Sequence, residues 1–454
     1  MTGSNRRVAV VGGGLAGITA ALRLADAGPS VTLLEGKPRL GGLTHSFQRD
    51  GRWVDNGQHV FLRCCTSYLA LLDRLGVTDE VHLQPRLDVP VRSGRHPGTA
   101  RLRRTPPGLG LPAPLLLGPA LASYRWLSPA DRIRAVRAAL ALGHVDRQDP
   151  ATDGVSFGDW LARHGQSART VEAVWDLIGV ATLNARAADA SLALAATVFQ
   201  LGLLERPDAA DIGWSLVPLQ QLHGDAATRA LEGAGVEVRL KARVSGLGAD
   251  GAGWRLDEER YDDVVLAVPP PDAERLLPPG AVDLAPGWAG ALGSSPIVNA
   301  HVVLDRVVLD EPFVAGVDSR LQWVFDRTGQ SGVLDEGQYL AVSLSAADDL
   351  IDISVADIRS WVLPALRQLL PAAADARVKE FFVTRERHAT FRPAPGNGRC
   401  RPGATTALPG LHLAGAWIDT GWPATMEGAV RSGEAAAASV LAAPVRPSME
   451  EVAS

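Results

Sequence analysis

Residues 8–17 read Val8-Ala9-Val10-Val11-Gly12-Gly13-Gly14-Leu15-Ala16-Gly17, and this stretch decides the fold. Its apolar half is typical of a buried parallel strand, and we expect a helix over Ile18–Ala27 after the glycine turn. In such a motif Gly12 permits the tight turn, Gly14 permits close approach of a pyrophosphate, and Gly17 permits close helix packing. The helix N-terminus also attracts phosphate. The stretch predicts a dinucleotide site, with a ligand-free structural turn as the alternative.

A second strand and a second glycine turn follow. The strand Val31-Thr32-Leu33-Leu34 ends at Glu35, where a carboxylate would hold a ribose diol. The turn Pro38-Arg39-Leu40-Gly41-Gly42 comes shortly afterwards. A simple NAD dehydrogenase does not need this second turn, whereas a flavin protein needs backbone that passes close to the extended FAD. The spacing therefore favours FAD.

The composition limits the class of protein. A chain of 454 residues is too long for one ordinary core, so two domains or large insertions are expected. The net charge of -5 leaves no basic footprint for nucleic acid. The three cysteines, Cys64, Cys65 and Cys400, have neither a disulfide pattern nor metal-ligand spacing. The first strand begins within about seven residues, which leaves no room for a signal peptide. We expect a cytoplasmic protein without a metal site; no feature sets an oligomeric state.

The middle of the chain alternates between helical and β-rich patterns. A helical insertion is expected between about Val81 and Val217, with helices over Ala130–Leu142 and Ser191–Leu204. A helix over Leu219–Glu232 and two strands then return the chain to the nucleotide-binding pattern; the strands lie at Val236–Leu240 and within Tyr261–Pro270. Later segments predict a second sheet, a helix and a further strand: Val298–Leu304, Leu321–Phe325, Tyr339–Leu344, Ile353–Leu370 and Val378–Thr384.

A long uncharged stretch lies between Arg104 and Arg125 and includes Leu115-Leu116-Leu117. Its length approaches that of a membrane span, but its prolines would break a helix repeatedly. We expect either a buried, irregular connection or a surface that contacts a bilayer and admits a lipid.

Two further segments have flavin-like patterns. Asp55-Asn56-Gly57-Gln58-His59 is either a hairpin turn with an outward histidine or a loop that faces a flavin ring. Near the C-terminus, the strand Leu411–Gly415 leads to a loop with Trp417, Asp419 and Trp422. An Ala-rich helix follows, and Pro423 is compatible with its first turn. The dipole of this helix can stabilise a reduced flavin, although an ordinary capping helix is the alternative.

Together these blocks resemble the amine oxidase and phytoene desaturase superfamily of FAD flavoproteins. Within it, four motifs are similar to those of the hydroxysqualene dehydroxylases: Asp55–His59, Gln322–Arg327, Arg387–Phe391 and Trp417–Gly433. The resemblance implies an α/β fold, with a Rossmann-like two-dinucleotide-binding FAD domain of the glutathione reductase and amine oxidase type. A mixed α+β substrate domain is inserted into it. The implied FAD domain comprises 1–80, 216–280 and 400–445; the substrate domain comprises 81–215, which includes the helical insertion, and 281–399.

The resemblance also implies which residues bind FAD: Gly12, Gly14, Leu15, Ala16, Gly17, Glu35, Arg39, Gly41, Gly42, Leu43, Val244, Gly415, Ala416 and Met426. Val244 would lie against the adenine. The family usually has an acidic residue directly after the glycine matched to Gly415, where this chain has Ala416; Asp419 is a candidate substitute. No cysteine follows Cys400, so we expect FAD to be held non-covalently.

The implied chemistry is reductive removal of the allylic hydroxyl of hydroxysqualene, which gives squalene for hopanoid and isoprenoid biosynthesis. An acid must protonate the leaving oxygen. His59, Asp55 and Asp419 are the candidates, with His59 first. Two alternatives stay open: a carotenoid desaturase or isomerase of the phytoene type, and a non-catalytic isoprenoid-binding protein. Since an isoprenoid lipid is almost insoluble, we expect peripheral membrane contact through the stretch from Thr105 to Tyr124.

Overall fold

The computed structural model describes residues 6–105, 113–251, 253–332 and 337–443, except for the side chains of 113–117. Its strands in chain order are β1 (Arg7–Val11), β2 (Ser30–Glu35), β3 (Ser46–Arg49), β4 (Arg52–Asp55), β5 (Val60–Leu62), β6 (Val81–Leu83), β7 (Asp88–Ser93), β8 (Thr99–Arg103), β9 (Ile212–Ser215), β10 (Glu237–Leu240), β11 (Leu247–Asp250), β12 (Gly253–Leu256), β13 (Glu259–Tyr261), β14 (Asp263–Leu266), β15 (Ser294–Leu304), β16 (Phe313–Val317), β17 (Trp323–Asp326), β18 (Gln338–Leu344), β19 (Val378–Phe391) and β20 (Leu411–Leu413).

The α-helices are α1 (Leu15–Asp26), α2 (Thr66–Leu75), α3 (Ala113–Ala122), α4 (Pro129–Leu142), α5 (Pro150–Asp153), α6 (Phe157–Arg163), α7 (Ala168–Thr170), α8 (Asp176–Leu183), α9 (Leu192–Phe199), α10 (Ala226–Gly233), α11 (Pro270–Leu276), α12 (Trp288–Leu292), α13 (Val355–Leu369) and α14 (Met426–Ala442). Three single π-helical turns adjoin four of these helices, α7 to α10: Val171–Trp175, Gln200–Leu204 and Gln220–Asp225.

A five-stranded parallel sheet holds the glycine-rich turn. Its strand order is β10-β2-β1-β14-β20. The apolar residues of β1 are buried on both faces, as a parallel sheet covered by helices requires. In such sheets ligands bind outside the carboxyl ends of the strands. The turn after β1 and Glu35 at the end of β2 therefore lie at the binding edge.

A second, seven-stranded sheet has the order β19-β15-β18-β17-β16-β7-β8. Its pairs are antiparallel apart from β16 and β7, and α13 packs against β15 and β19. The small sheet β5-β9-β6 joins strands from before and after the helical segment α3 to α9. The second sheet predicted from the β-rich runs is present, while the domain boundaries stay a prediction.

The C-terminal helix begins later than expected. Thr425 is the N-cap of α14, and its Oγ1 accepts a hydrogen bond from the Gly428 N–H at 3.1 Å. Threonine is a favoured N-cap because its hydroxyl satisfies such a free N–H. Pro423 therefore precedes the helix and is not in its first turn.

The uncharged stretch is more regular than expected over its described part. Residues 106–112 and the side chains of Leu115–Leu117 lie outside the described residues. The helix α3 continues past Pro119, since a proline removes a single backbone donor, and Pro114 lies in the first turn where that donor is not needed. Among the described helices, none has the length and apolar character required to cross a membrane.

Candidate active site

The three motif glycines after β1 differ in whether the protein's own packing requires them. A Cβ on Gly12, where φ is +113°, would lie 2.3 Å from the Ala267 carbonyl oxygen, and one on Gly17 would lie 1.8 Å from the Gly12 oxygen. Packing alone demands glycine at these two positions. A Cβ on Gly14 would have the Gly42 Cα as its nearest neighbour, at 3.8 Å. Gly14 is therefore not required by the protein's own packing, as expected of a residue whose bare backbone faces a ligand.

The start of α1 is suited to an anion. It has no capping side chain, and there is no acidic residue in its first turn, which begins with Leu15 and Ala16. The second glycine turn lies against the first, because the Gly41 N–H donates to the Gly13 carbonyl at 2.9 Å. Free N–H groups and a positive helix end favour phosphate here.

Glu35 lies beside this edge, at the end of β2. Its Oε2 accepts a hydrogen bond from the Gly13 N–H, and its Oε1 accepts one from the Lys37 N–H, both at 2.6 Å. The Ala242 N–H donates to the Glu35 carbonyl at 2.9 Å, which brings the segment containing buried Val244 to the same place. These contacts fix the carboxylate where a ribose diol could reach it.

The remaining predicted FAD contacts lie on the second turn and at the C-terminal segment. Arg39 donates to the Gly42 carbonyl at 3.2 Å, and Leu43 next to it is 48% exposed. In the C-terminal segment, α14 crosses α1 so closely that a Cβ on Gly433 would lie 2.2 Å from the Ala16 carbonyl oxygen. The crossing places the first turn of α1 against the middle of α14.

The segment before α14 is shaped by Gly415. Its φ is +141°, its N–H donates to the Ser432 hydroxyl at 2.8 Å, and a Cβ would lie 2.4 Å from the Trp417 Nε1. Ala416 and Met426, the predicted contacts that follow it, are both half-buried.

Among the described residues, no hydrogen bond or ion pair joins Asp419 to Asp55 or His59. The Asp419 side chain is 60% exposed, and its Oδ1 accepts a hydrogen bond from the Gly421 N–H. Its charged neighbour is Arg401, whose Nη1 lies 4.0 Å away. The carboxylate is therefore exposed and held within its own loop, and the role of Asp419 as an acid stays a prediction.

Asp55 is fully engaged by the protein itself. Its Oδ1 accepts hydrogen bonds from the Ser46 hydroxyl at 2.6 Å and the Leu219 N–H at 3.1 Å, and its Oδ2 accepts one from Arg327. The side chain is 6% exposed. Three donors converge on two buried oxygens, so the carboxylate holds the loop in place. Its role as a proton donor stays a prediction.

His59 lies two residues beyond the glycine of the same loop. Its Nδ1 is 3.1 Å from the Gly57 carbonyl, which can only accept, so Nδ1 carries a hydrogen and Nε2 is the position that gains and loses a proton. Burial lowers the pKa of His59 below its ordinary value of 6.5. The imidazole is therefore mostly neutral at pH 7.

Two further histidines, which sequence reasoning missed, lie near enough for their charges to interact with that of His59. Burial, followed by the charge of Arg39, lowers the pKa of His45 to about 4. Burial also lowers the pKa of His223 to about 3, and its Nε2 lies 2.9 Å from the Tyr68 hydroxyl. Their spacing in the sequence carries no motif, so only the fold could reveal the cluster.

Glu427 is a second residue that sequence reasoning missed. It is completely buried, and its oxygens accept hydrogen bonds from the Ser67 and Tyr68 N–H groups at the start of α2 and from Arg431. It therefore caps α2 from α14. The signal available in the sequence was an acidic residue inside an otherwise small and apolar motif.

Two buried amide oxygens near the His59 loop accept no hydrogen bond among the described residues: Gln58 Oε1 and Asn299 Oδ1. Asn299 belongs to the same site, because its Nδ2 donates to the Asn56 carbonyl at 3.4 Å. Leaving buried acceptors unpaired is costly, so these oxygens fit a bound molecule that brings hydrogen-bond donors.

The family model described as flavin containing amine oxidoreductase matches residues 15–441. The chain belongs to this family. Its glycine turns, uncapped α1 and buried amide acceptors fit FAD, and the protein is an FAD-dependent oxidoreductase. The predicted fold class and cofactor are thereby confirmed.

Two relatives of this flavoprotein have names that denote different reactions. It is 28% identical to hydroxysqualene dehydroxylase of Rhodopseudomonas palustris, over 97% of this chain and 99% of that protein. It is 27% identical to a probable zeta-carotene desaturase of Synechococcus elongatus, over 96% and 99% respectively. A solved putrescine oxidase with bound putrescine has the same fold, with a TM-score of 0.71 and 21% identity over 96% of this chain and 99% of that one.

Proposed function

We propose that this flavoprotein reductively removes the allylic hydroxyl of hydroxysqualene and forms squalene. The proposal is carried by the position of His59, whose half-buried imidazole lies in the loop fixed by Asp55. Its Nε2 is the nitrogen that gains and loses a proton. Loss of a hydroxyl requires an acid, whereas desaturation requires none. The near full-length similarity to the dehydroxylase supports the same reaction.

Dehydroxylation replaces the hydroxyl on the allylic carbon with a hydrogen. The carbon–oxygen bond breaks, the oxygen takes a proton from His59 Nε2 and leaves as water, and the allylic carbon gains a hydride. Reduced FAD supplies that hydride when it is bound. Arg327 and Asp55 keep the loop in position. The two-domain division predicted from the sequence would place the substrate between the two large sheets.

A carotenoid desaturase or isomerase is the second candidate, and the similarity to the carotene desaturase supports it. In desaturation a hydride leaves one substrate carbon and a proton leaves its neighbour, so bound oxidised FAD would have to accept the hydride, and no leaving oxygen is protonated. A protein that binds isoprenoids without catalysis is the third. The substrate in every case is an isoprenoid lipid, so we also propose peripheral contact with a membrane on the cytoplasmic side.

Product analysis tests the proposal. The enzyme is reduced without oxygen and supplied with hydroxysqualene, or left oxidised and supplied with phytoene, both in detergent micelles. We expect squalene from the first mixture and no new conjugated double bond in the second. Desaturated product from phytoene, with no squalene, would establish the second candidate instead. The His59→Gln variant should retain FAD and lose at least about 10²-fold in squalene formation.

A further inference from the structure

The loop that follows β20 lies at the binding edge of the five-stranded sheet. Strand β20 is parallel to β14, which is parallel to β1, so the three carboxyl ends share one edge. The Trp417 Nε1 of this loop donates to the carbonyl of Val268 at 2.9 Å, and Val268 lies two residues beyond the end of β14. We call residues 415–422 the 415–422 loop. Its position at this edge suits a contact with FAD.

A buried arginine holds the 415–422 loop. The side chain of Arg401 is 3% exposed. Its Nε donates to the Trp417 carbonyl at 3.1 Å, and its Nη2 donates to the carbonyls of Ile418 and Trp422 at 2.6 and 2.8 Å. One guanidinium therefore ties together carbonyl groups that lie up to five residues apart along the loop.

Carboxylates do little to compensate the buried charge of Arg401. The ion pair that the described residues offer it is with Asp419, whose Oδ1 is 4.0 Å from Nη1 and whose side chain is 60% exposed. The guanidinium also lies over the Phe391 ring, 4.6 Å from its centre. Burial lowers the pKa of Arg401 below its ordinary value, yet a guanidinium stays charged at neutral pH. Its main partners are therefore the loop carbonyls and an aromatic face.

The 415–422 loop leaves two backbone donors free. The Ile418 N–H donates to the Gly415 carbonyl at 3.2 Å, which closes a four-residue turn around Ala416 and Trp417. Among the described residues, no acceptor engages the N–H of Ala416 or that of Trp417. Successive free N–H groups in a turn attract anionic or carbonyl oxygens. They suit a ligand that brings such oxygens, as FAD does.

Arg401 acts on this turn through two consecutive peptide groups. The Trp417 carbonyl and the Ile418 N–H belong to one planar peptide, so the hydrogen bond to Arg401 also orients the N–H that closes the turn. The next peptide joins the Ile418 carbonyl to the Asp419 N–H. Arg401 holds that carbonyl, and the Pro402 carbonyl accepts from that N–H at 2.8 Å. Both peptide planes are thus fixed from two sides.

We propose that Arg401 is a positioning residue for FAD. It holds the 415–422 loop in the shape that presents the N–H groups of Ala416 and Trp417 to the cofactor. Ala416 brings no carboxylate to this position, so the backbone donors are what the turn offers. A loop that is ordered before binding lowers the entropy cost of binding. The inference concerns cofactor binding and is independent of which substrate the enzyme converts.

The test is titration of the apoprotein with FAD, followed by flavin fluorescence. Arg401→Met removes the donors and should weaken FAD binding at least about tenfold. Arg401→Lys keeps the charge, but one nitrogen cannot reproduce the planar fork, so it should recover only part of the affinity. The control Arg399→Met removes an exposed arginine two residues earlier and should bind FAD as the unmodified protein does.

Two further measurements separate positioning from stability. In the apoprotein of the lysine variant, hydrogen exchange should be faster over residues 415–422 and unchanged in β1 and β2. The visible circular dichroism of its bound flavin should also change, which a loss of stability alone would not cause. If the methionine variant does not fold, the lysine variant decides.

Two results would overturn the proposal. Unchanged FAD affinity in Arg401→Lys would show that the charge suffices and the fork is not needed. Lower thermal stability with unchanged FAD affinity and flavin dichroism would make Arg401 a purely structural residue. Absence of squalene formation would overturn the proposed reaction and leave the role of Arg401 intact, because FAD binding is measured without substrate.

Discussion

Asp55 accepts a hydrogen bond from Arg327 in a buried ion pair that joins the end of β4 to the residue after β17. The two side chains are 6% and 8% exposed. Asp55→Asn would leave the arginine as an uncompensated buried charge, so we expect a loss of about 3–5 kcal/mol in the free energy of unfolding. Urea titration measures it.

The matched control replaces both partners. Asp55→Leu/Arg327→Met removes both charges and should recover a large part of that loss. If Asp55→Asn instead leaves stability unchanged and abolishes activity alone, Asp55 acts on the substrate and the positioning role is wrong.

The glycines of the first turn should separate cofactor binding from folding. Gly14→Val should fold and lose FAD, because its Cβ would meet no protein atom closer than 3.8 Å, while the side chain would occupy the space that the pyrophosphate needs. Gly17→Ala should fail to fold, since its Cβ would lie 1.8 Å from the Gly12 oxygen. Flavin absorbance and thermal unfolding distinguish the two. Stoichiometric flavin in the valine variant would show that the phosphate-binding role is misassigned.

Ala416 offers a gain-of-affinity test. It is half-buried, and its segment lacks the carboxylate implied by the family resemblance. Ala416→Asp should tighten FAD binding about tenfold or more, because a hydrogen bond to a charged group contributes roughly 1.5–3 kcal/mol. Ala416→Asn, the uncharged control, should gain less. Equal dissociation constants for all three proteins would mean that another group already fills this role.

His59 should give the reaction a distinctive pH dependence. The pKa of folded His59 lies below 6.5. As long as the pH stays above that pKa, the protonated fraction of His59 increases about tenfold for each unit by which the pH is lowered. The rate of squalene formation should therefore rise as the pH is lowered from about 8 to 6.5. His59→Gln should flatten the profile, whereas His45→Gln should keep its slope. A rate that increases with pH would contradict His59 as the acid.

The cofactor site could be predicted from sequence because local chemistry determines it. Three features are each specified by a few neighbouring residues: the turn at Gly12 and Gly14, the acidic end of β2, and the second glycine turn. Their backbone requirements leave little freedom, so the structure places them together as expected.

The roles of Asp55, His223 and Glu427 could not be predicted in the same way. The partner of Asp55 lies 272 residues away in the chain, and Glu427 caps a helix 359 residues earlier. Such contacts depend on tertiary packing, which periodicity does not encode.

The direction of electron flow tests the central claim most directly. Enzyme containing fully reduced FAD is mixed without oxygen with one equivalent of hydroxysqualene, and oxidised-flavin absorbance is followed together with product. We predict that the yellow colour returns as squalene forms, with one squalene for each flavin oxidised. If the reduced flavin stays colourless and intact hydroxysqualene is recovered, while phytoene bleaches the oxidised enzyme, reductive dehydroxylation is contradicted.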